Sequence, residues 1–445
     1  MRAFHMLALS NPDGLNKVMP QVDIPKERWV KEPATSHFRL QKYIEKVYAT
    51  SFGEIESPLK ESAELEKLIC VINQTPELAK HADQSVRSVL GGHHVALVEI
   101  CCFTLRQALG RGQTKFDDVS FKSDYLRLEE ALYSDKISHR RITALKGARL
   151  DIGTIELTSS LRLRRLSTKE IEDLLSRGLE LDHGSFSRDR GLAFEVSDLV
   201  LEKRTILDKY IGEDLKVDNE FWSQHQAATA NDEEQLFVAV CRVAKDGLVM
   251  LGNSITECEQ EIFCLGYSIN GHGSATYPSI ISFNANSAEA DEILLLWHSA
   301  WKCRNSRSFL HRAIRRFSSS MNRETLEDRI IDLAIAGESL FLSGGDEAIE
   351  LSFRLGHRAG AFLGTTATEK TEIFKLFKKF YNLRSKLVHG KSDPLRDSRG
   401  VTEASELTNK VAGCLRSTIK TALLQPDEIM KLNQLVSSWE EFLYS

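Results

Sequence analysis

Apolar residues recur along this chain with two different periods. From residue 287 to the C-terminus they come at three- and four-residue steps, which line one face of an α-helix. Between residues 142 and 201 they alternate, or gather in short β-branched runs: Ile142–Leu145, Thr154–Leu157, Leu161–Leu166, Phe194–Val196 and Leu199–Leu201. Gly147 and Gly153 punctuate these runs, so the spacing predicts short strands. The fold class expected is α+β: a mixed N-terminal region of helices and short strands, then an all-α C-terminal bundle.

The punctuation adds detail. Pro12, Pro20, Pro25 and Pro33 interrupt any long element at the start. Ser57-Pro58 opens a helix striped by Leu65, Leu68, Ile69 and Ile72, and Thr75-Pro76 opens a second one running to Gly91-Gly92. Val95–Leu109 is apolar throughout and reads as buried, and Tyr125–Leu132 is a short amphipathic helix. Ser167 and Glu170 form a capping box. Asn231–Glu234 caps a helix carrying Leu236, Ala239, Val240 and Val243, with a hairpin turning at Asp246-Gly247 as the competing reading. Glycines, serines, asparagines and Pro278 between Tyr267 and Ala288 mark a boundary, and His272 lies in it as a loop residue. The organisation expected is a helical region over 1–140, a mixed region over 141–266, a linker over 267–288 and a bundle over 289–445. Its helices fall near 293–301, 329–341, 346–363, 371–389, 402–424 and 428–444.

Composition narrows the function. The chain has 445 residues, 27% of them charged, and a net charge of −5, so any nucleic-acid contact has to be local. No apolar run reaches the ~20 residues of a membrane helix. The first ten residues lack a signal-peptide cleavage pattern, and the eight cysteines include no C-x-x-C pair, which points to thiols in a reducing cytoplasm. His93-His94 has no carboxylate at ligand spacing, so no metal and no cofactor is expected.

Two basic clusters stand out. Lys302–Arg316 holds six Lys and Arg residues and no acid; on one helix Arg304, Arg307, His311 and Arg315 form a stripe opposite Leu310, Ile314 and Phe317. The stripe is either a phosphate track or a solvated face. Arg162, Arg164 and Arg165 leave the same two readings open. The densest chemistry closes the 371–389 helix, whose apolar face is Phe374, Leu376, Phe377, Phe380, Leu383 and Leu387. Gly390 stands where a helix takes a C′ residue, and Pro394 follows. His389 falls on the last turn, with Ser385 one turn behind and Arg384 beside Ser385. Arg offers a planar fork for phosphate oxygens, and His moves a proton near neutral pH.

Arg384-Ser-Lys-Leu-Val-His389-Gly390 resembles the Arg-x(4–6)-His motif of the HEPN superfamily, in its Apea-like version. Asp328–Phe341, with Glu338, is similar to that family's first core helix, and Glu350–Leu363 to its second. The resemblance covers about residues 290–445. It implies a metal-independent endoribonuclease leaving 2′,3′-cyclic phosphate ends, with Arg384 and His389 catalytic. Asn382, Ser385 and Glu338 would support them, and Arg304, Arg307, Arg315 and Lys386 would hold RNA. Ser385 stands where many of these nucleases have Asn. Glu338 is either such a supporting group or a structural partner of Arg354 or Arg358. The family further implies a homodimer, a sensor-like N-terminal region bound by a viral or cellular trigger, and a toxic antiviral role. Its alternative is a non-catalytic dimerisation or adaptor module.

Overall fold

The computed structural model describes residues 21–31, 37–48, 63–79, 84–88, 91–95, 97–110, 115–150, 153–177, 194–195, 198–211, 231–247, 249–260, 262, 267–270, 283–306, 308–342, 351–389 and 394–425. In chain order the elements of the first half are β1 (Gln21–Lys31), β2 (His37–Tyr48), α1 (Ala63–Gln74), the one-turn α2 (Pro76–Ala79), β3 (Gln84–Ser88), β4 (Gly91–Val95), α3 (Leu97–Gly110), α4 (Asp118–Tyr133), β5 (Lys136–Lys146), β6 (Ala148–Leu150), β7 (Ile155–Glu156), β8 (Leu161–Arg165), α5 (Thr168–Ser176), β9 (Phe194–Glu195), β10 (Leu199–Asp208) and β11 (Tyr210–Ile211). Then follow α6 (Asp232–Ala244), β12 (Met250–Cys258), β13 (Tyr267–Asn270), β14 (Phe283–Ala285), α7 (Ser287–Cys303), α8 (Ser308–Ser320), α9 (Leu326–Phe341), α10 (Leu351–Leu363), α11 (Ala367–His389) and α12 (Ser398–Leu424). The architecture is α+β, with the strands concentrated in the N-terminal half and helices in the C-terminal part. It divides into two compact units, one drawn from 1–144, 160–230 and 252–272, the other from 145–159, 231–251 and 273–445.

In the first unit β13, β12, β5, β10 and β8 lie side by side. β5 and β10 are antiparallel, with Ala144 opposite Val200 and Lys136 opposite Asp208. Alternate residues share a face, so Ile142, Ala144 and Val200 meet Ile171, Leu174 and Leu175 of α5. Ile137, on the opposite parity, packs with Ile100 and Phe103 of α3 and Leu128, Ala131 and Leu132 of α4. The capping box of α5 is made as the sequence predicts, Ser167 with Glu170.

Three local expectations are corrected here. Pro25 does not interrupt an element: it lies inside β1, which pairs with β2 alone and so occupies the edge of its three-stranded sheet. An edge strand has a free side on which a missing N–H costs no ladder bond. The helix expected from Pro76 to Gly91 is only the single turn α2, followed by the β3–β4 hairpin. Gln84-Ser-Val-Arg-Ser88 contains weak helix formers, and β3 gains ladder partners on both sides, in β4 and β11. The expected linker over 267–288 contains β13, which extends β12, and β14, which runs parallel to β6. Its composition reads as loop, but long-range pairing captures both ends. His272, and the expected helices over 346–350 and 428–444, lie outside the described residues.

The second unit is built on α6–α12 with the small β6–β14 ladder. α6 forms as a helix rather than a hairpin, although Asn231 receives the Gln235 amide at 2.7 Å instead of capping the chain. Three acids in the first turn of α6 complement its dipole. A capping box of Asn286 and Glu289 opens α7, whose Trp297 is fully buried and donates to the Leu157 carbonyl at 3.2 Å. α8 buries Leu310, Ile314 and Phe317 against α6, α9 and α12. α11 packs on α9, α10 and α12. Gly356 and Gly360 let α10 approach α11 closely: a Cβ at Gly360 would stand 2.6 Å from the Lys370 carbonyl oxygen. Among the described residues no helix is long and apolar enough to cross a membrane.

Candidate functional site

α11 is held by Phe377, Phe380 and Tyr381, which are buried. Phe377 meets Phe341 of α9 edge-on, with ring centroids 5.8 Å apart. Arg384 sits one turn beyond Phe380 and Tyr381, on the same inward side. Its guanidinium carbon lies 5.6 Å from the centre of the Tyr381 ring. Its Nε is shielded from water and has no hydrogen-bond partner. No carboxylate among the described residues forms a salt bridge with it.

The Tyr381 hydroxyl faces Glu338 of α9. Burial, then the charge and hydrogen bond of Glu338, push the tyrosine pKa up, and Arg384 opposes them. Among the described residues Glu338 forms no salt bridge with Arg354 or Arg358; its charge acts on Tyr381 instead. Arg358 is buried at 3% exposure and donates from Nη1 to the Phe341 carbonyl at 2.7 Å, closing the C-terminus of α9. Burial, with Arg354 adding to it, lowers the Arg358 pKa to about 10. Tyr381 is the member of this group that the sequence did not single out: as one more aromatic residue on an apolar face it carries no separate signal.

The structure does not bring Arg384 and His389 together on one face. Five residues along an α-helix turn about 140° and rise about 7.5 Å. His389, the last residue of α11, is exposed. Asn382, Ser385 and Lys386 share its side of the helix; Asn382 and Lys386 are exposed and Ser385 is half-buried. α11 thus carries an inner group, Tyr381 and Arg384 with Glu338, and an outer group, Asn382, Ser385, Lys386 and His389. Gly390 lies outside the described residues.

The basic stripe does not form on a single helix. α7 ends at Cys303 and α8 begins at Ser308. Asn305 and Ser306, which favour turns and caps, stand in the break. Arg304 folds back, its guanidinium carbon 3.4 Å from the Trp301 ring centre and its Nη1 donating to the Trp301 carbonyl at 2.6 Å. Arg307 lies outside the described residues. His311 is half-buried; burial and then Arg315 lower its pKa, against Asp232. Arg315 is exposed.

The second basic cluster is neither a phosphate track nor a solvated face. Arg162 and Arg164 both bond Glu202, whose side chain is fully buried; Arg164 also reaches Glu170 at 2.8 Å, and Arg165 pairs with Asp198 at 2.7 Å. The carboxylates lie on β10, before β10 and on α5, so the sequence spacing of the arginines could not announce them.

Among the described residues no group of His, Cys, Asp and Glu is placed to hold a metal ion. His93 and His94 fall on β4. Cys101, Cys241 and Cys258 are buried and form no disulfide, and burial pushes the Cys241 thiol up to about 12. Compared with protein-family models, with curated proteins and with solved structures, the chain finds no match in any of the three.

Proposed function

We propose that the C-terminal helices act as a HEPN-type, metal-independent endoribonuclease, with Arg384 and His389 as its catalytic pair. The observation that carries the reading is the state of Arg384. It is a half-buried guanidinium at a helix end, seated on Tyr381, with a shielded Nε and no carboxylate to satisfy it. A phosphodiester oxygen is the acceptor it lacks. Exposed His389 then takes the proton from a ribose 2′-OH as that oxygen attacks phosphorus. The 5′-oxygen leaves with a proton from a second imidazole, and a 2′,3′-cyclic phosphate remains. Arg384 holds the charge that develops on the phosphoryl oxygens.

The 140° between the two residues bears on assembly. A homodimer that faces two α11 ends across its interface brings the Arg384 of one copy to the His389 of the other and supplies acid and base together. Asn382, Ser385 and Lys386 line the outer face that RNA would follow, in a cytoplasmic protein whose N-terminal region answers a viral or cellular trigger. The same separation favours a second reading, a non-catalytic adaptor in which α11 is only a dimer contact.

The deciding experiment is cleavage of end-labelled cellular RNA in EDTA, paired with expression in cells, for wild type, Arg384→Ala and His389→Ala. The nuclease reading expects cyclic-phosphate ends, or toxicity in cells, from wild type alone. Equal behaviour of wild type and His389→Ala in both settings selects the adaptor.

A further inference from the structure

The outer side of α11 carries more charge than the group at its end. Between Glu372 and Asp393 the chain has no acidic residue. Lys375, Lys378, Lys379 and Lys386 are all exposed, and with Asn382 and His389 they fall within about 100° of the helix circumference. From Lys375 to His389 the row runs for about 21 Å. Arg384 points to the other side of the helix.

Lysines in other elements find carboxylates. Lys122 pairs with Asp118 at 3.1 Å, Lys245 with Glu289 at 2.6 Å, Lys420 with Glu292 at 2.7 Å, and Lys136 with Asp208. Among the described residues none of the four α11 lysines forms a salt bridge. Like charges three and four residues apart on one helix repel each other. The row therefore works against its own helix, and a chain of anions laid along it would relieve that repulsion.

An aromatic patch lies beside the row. Phe374 of α11 flanks it, with the Lys378 Nζ 5.6 Å from the ring centre. Phe353 of α10 meets Phe374 edge-on, with centroids 5.4 Å apart, and stacks on His357 at 6.0 Å with 17° between the ring planes. Phe353 is nevertheless 41% exposed. Covering the open part of that ring gains free energy, and a flat group covers it best. Cations that track a backbone, next to an aromatic ring that takes a base, are the two parts of a surface for an unpaired nucleic-acid strand.

We propose that Lys375, Lys378 and Lys379, with Phe353, form a binding surface for single-stranded RNA that leads along α11 to His389. The lysines hold backbone phosphates, and Phe353 stacks one unpaired base. A duplex presents the same phosphates but keeps its bases inside. The choice of RNA rests on the nuclease reading; the lysine row and the open ring do not depend on it.

The test is fluorescence anisotropy of a labelled oligouridine with the full chain carrying His389→Ala, which leaves the strand uncut, in EDTA over a series of salt concentrations. The binding constant should fall with salt, with a log–log slope of about 0.7 for each phosphate held. Changing Lys375, Lys378 and Lys379 together to Gln should lower that slope by about 2. Phe353→Ala, folded by circular dichroism, should weaken the single strand about tenfold at unchanged slope and leave an RNA duplex of equal length unaffected; Phe353→Tyr should keep the wild-type affinity. These results without RNA cleavage by the wild-type chain would remove the nuclease reading and leave the surface standing. A slope unchanged in the lysine variant, a duplex bound as tightly as the single strand, tighter binding of oligodeoxythymidine than of oligouridine, or displacement of the RNA by poly-glutamate at equal charge overturns the proposal.

Discussion

Glu202→Gln changes one atom and removes the charge at the centre of the first unit's ion-pair network. Glu202 is fully buried on β10; it accepts from Arg162 Nη2 at 2.5 Å and from Arg164 Nε, and Arg204 lies 3.6 Å away. The glutamine keeps the shape but presents one neutral oxygen and an NH₂ to guanidiniums that only donate. Removing one partner of a buried pair costs about 3–5 kcal/mol, because the other charge stays buried. Arg164 keeps Glu170 and Arg162 is partly solvated, so the loss falls near the lower bound, about 3 kcal/mol. Urea unfolding followed by circular dichroism measures it as a shift in midpoint at unchanged slope.

The pH dependence checks the cause. Burial pushes the Glu202 carboxyl up, but the hydrogen bonds and charges of Arg164 and then Arg162 outweigh it and hold its pKa below the ordinary value. A depressed carboxylate contributes its stability above the unfolded-state pKa, about 4.3, and loses it as pH falls through the folded value. Wild type should therefore lose stability more steeply below about pH 4.3 than Glu202→Gln does. A loss under about 1 kcal/mol at pH 7, or parallel acid limbs, would refute the network as a source of stability.

Three further outcomes follow from the packing. Phe377→Ala removes a buried ring that meets Phe341, and should cost about 3–4 kcal/mol in the same urea assay. Gly360→Ala should destabilise by about 1–3 kcal/mol because its Cβ meets the Lys370 carbonyl, whereas Gly413→Ala, with nothing within 4 Å on α12, should stabilise by about 0.5–1 kcal/mol; equal effects would remove the close α10–α11 approach as their cause. In thiol titration with a disulfide reagent at pH 8, exposed Cys70 should react in the native protein, and Cys241, its thiol pushed up to about 12, only after unfolding.

Legibility in the sequence tracked how local each cause was. The Ser167–Glu170 box, the apolar stripe of α8 and the helix of α6 depend on residues within one or two turns, and all three stand in the structure. So does α11, whose inward face the spacing of Phe377 and Phe380 already describes. Reading failed where partners are distant. Pro25 sits in a strand because β1 is an edge, β3 exists because β4 and β11 flank it, and the 267–288 stretch is partly strand because β12 and β6 recruit it.

The side-chain chemistry divides in the same way. By itself the sequence determined which charges the chain owns and which elements carry them: Arg384 and His389 at the end of α11, Arg162 and Arg164 on β8, Arg329 on α9. Only the tertiary structure decided which of those charges are already spent. A guanidinium's role rests on whether a carboxylate lies within a few ångströms, and that depends on chain segments brought together from far apart. Glu202 stands 40 residues from Arg162 and neutralises it, whereas Arg329 and Arg384 are left with shielded Nε donors that no side chain answers.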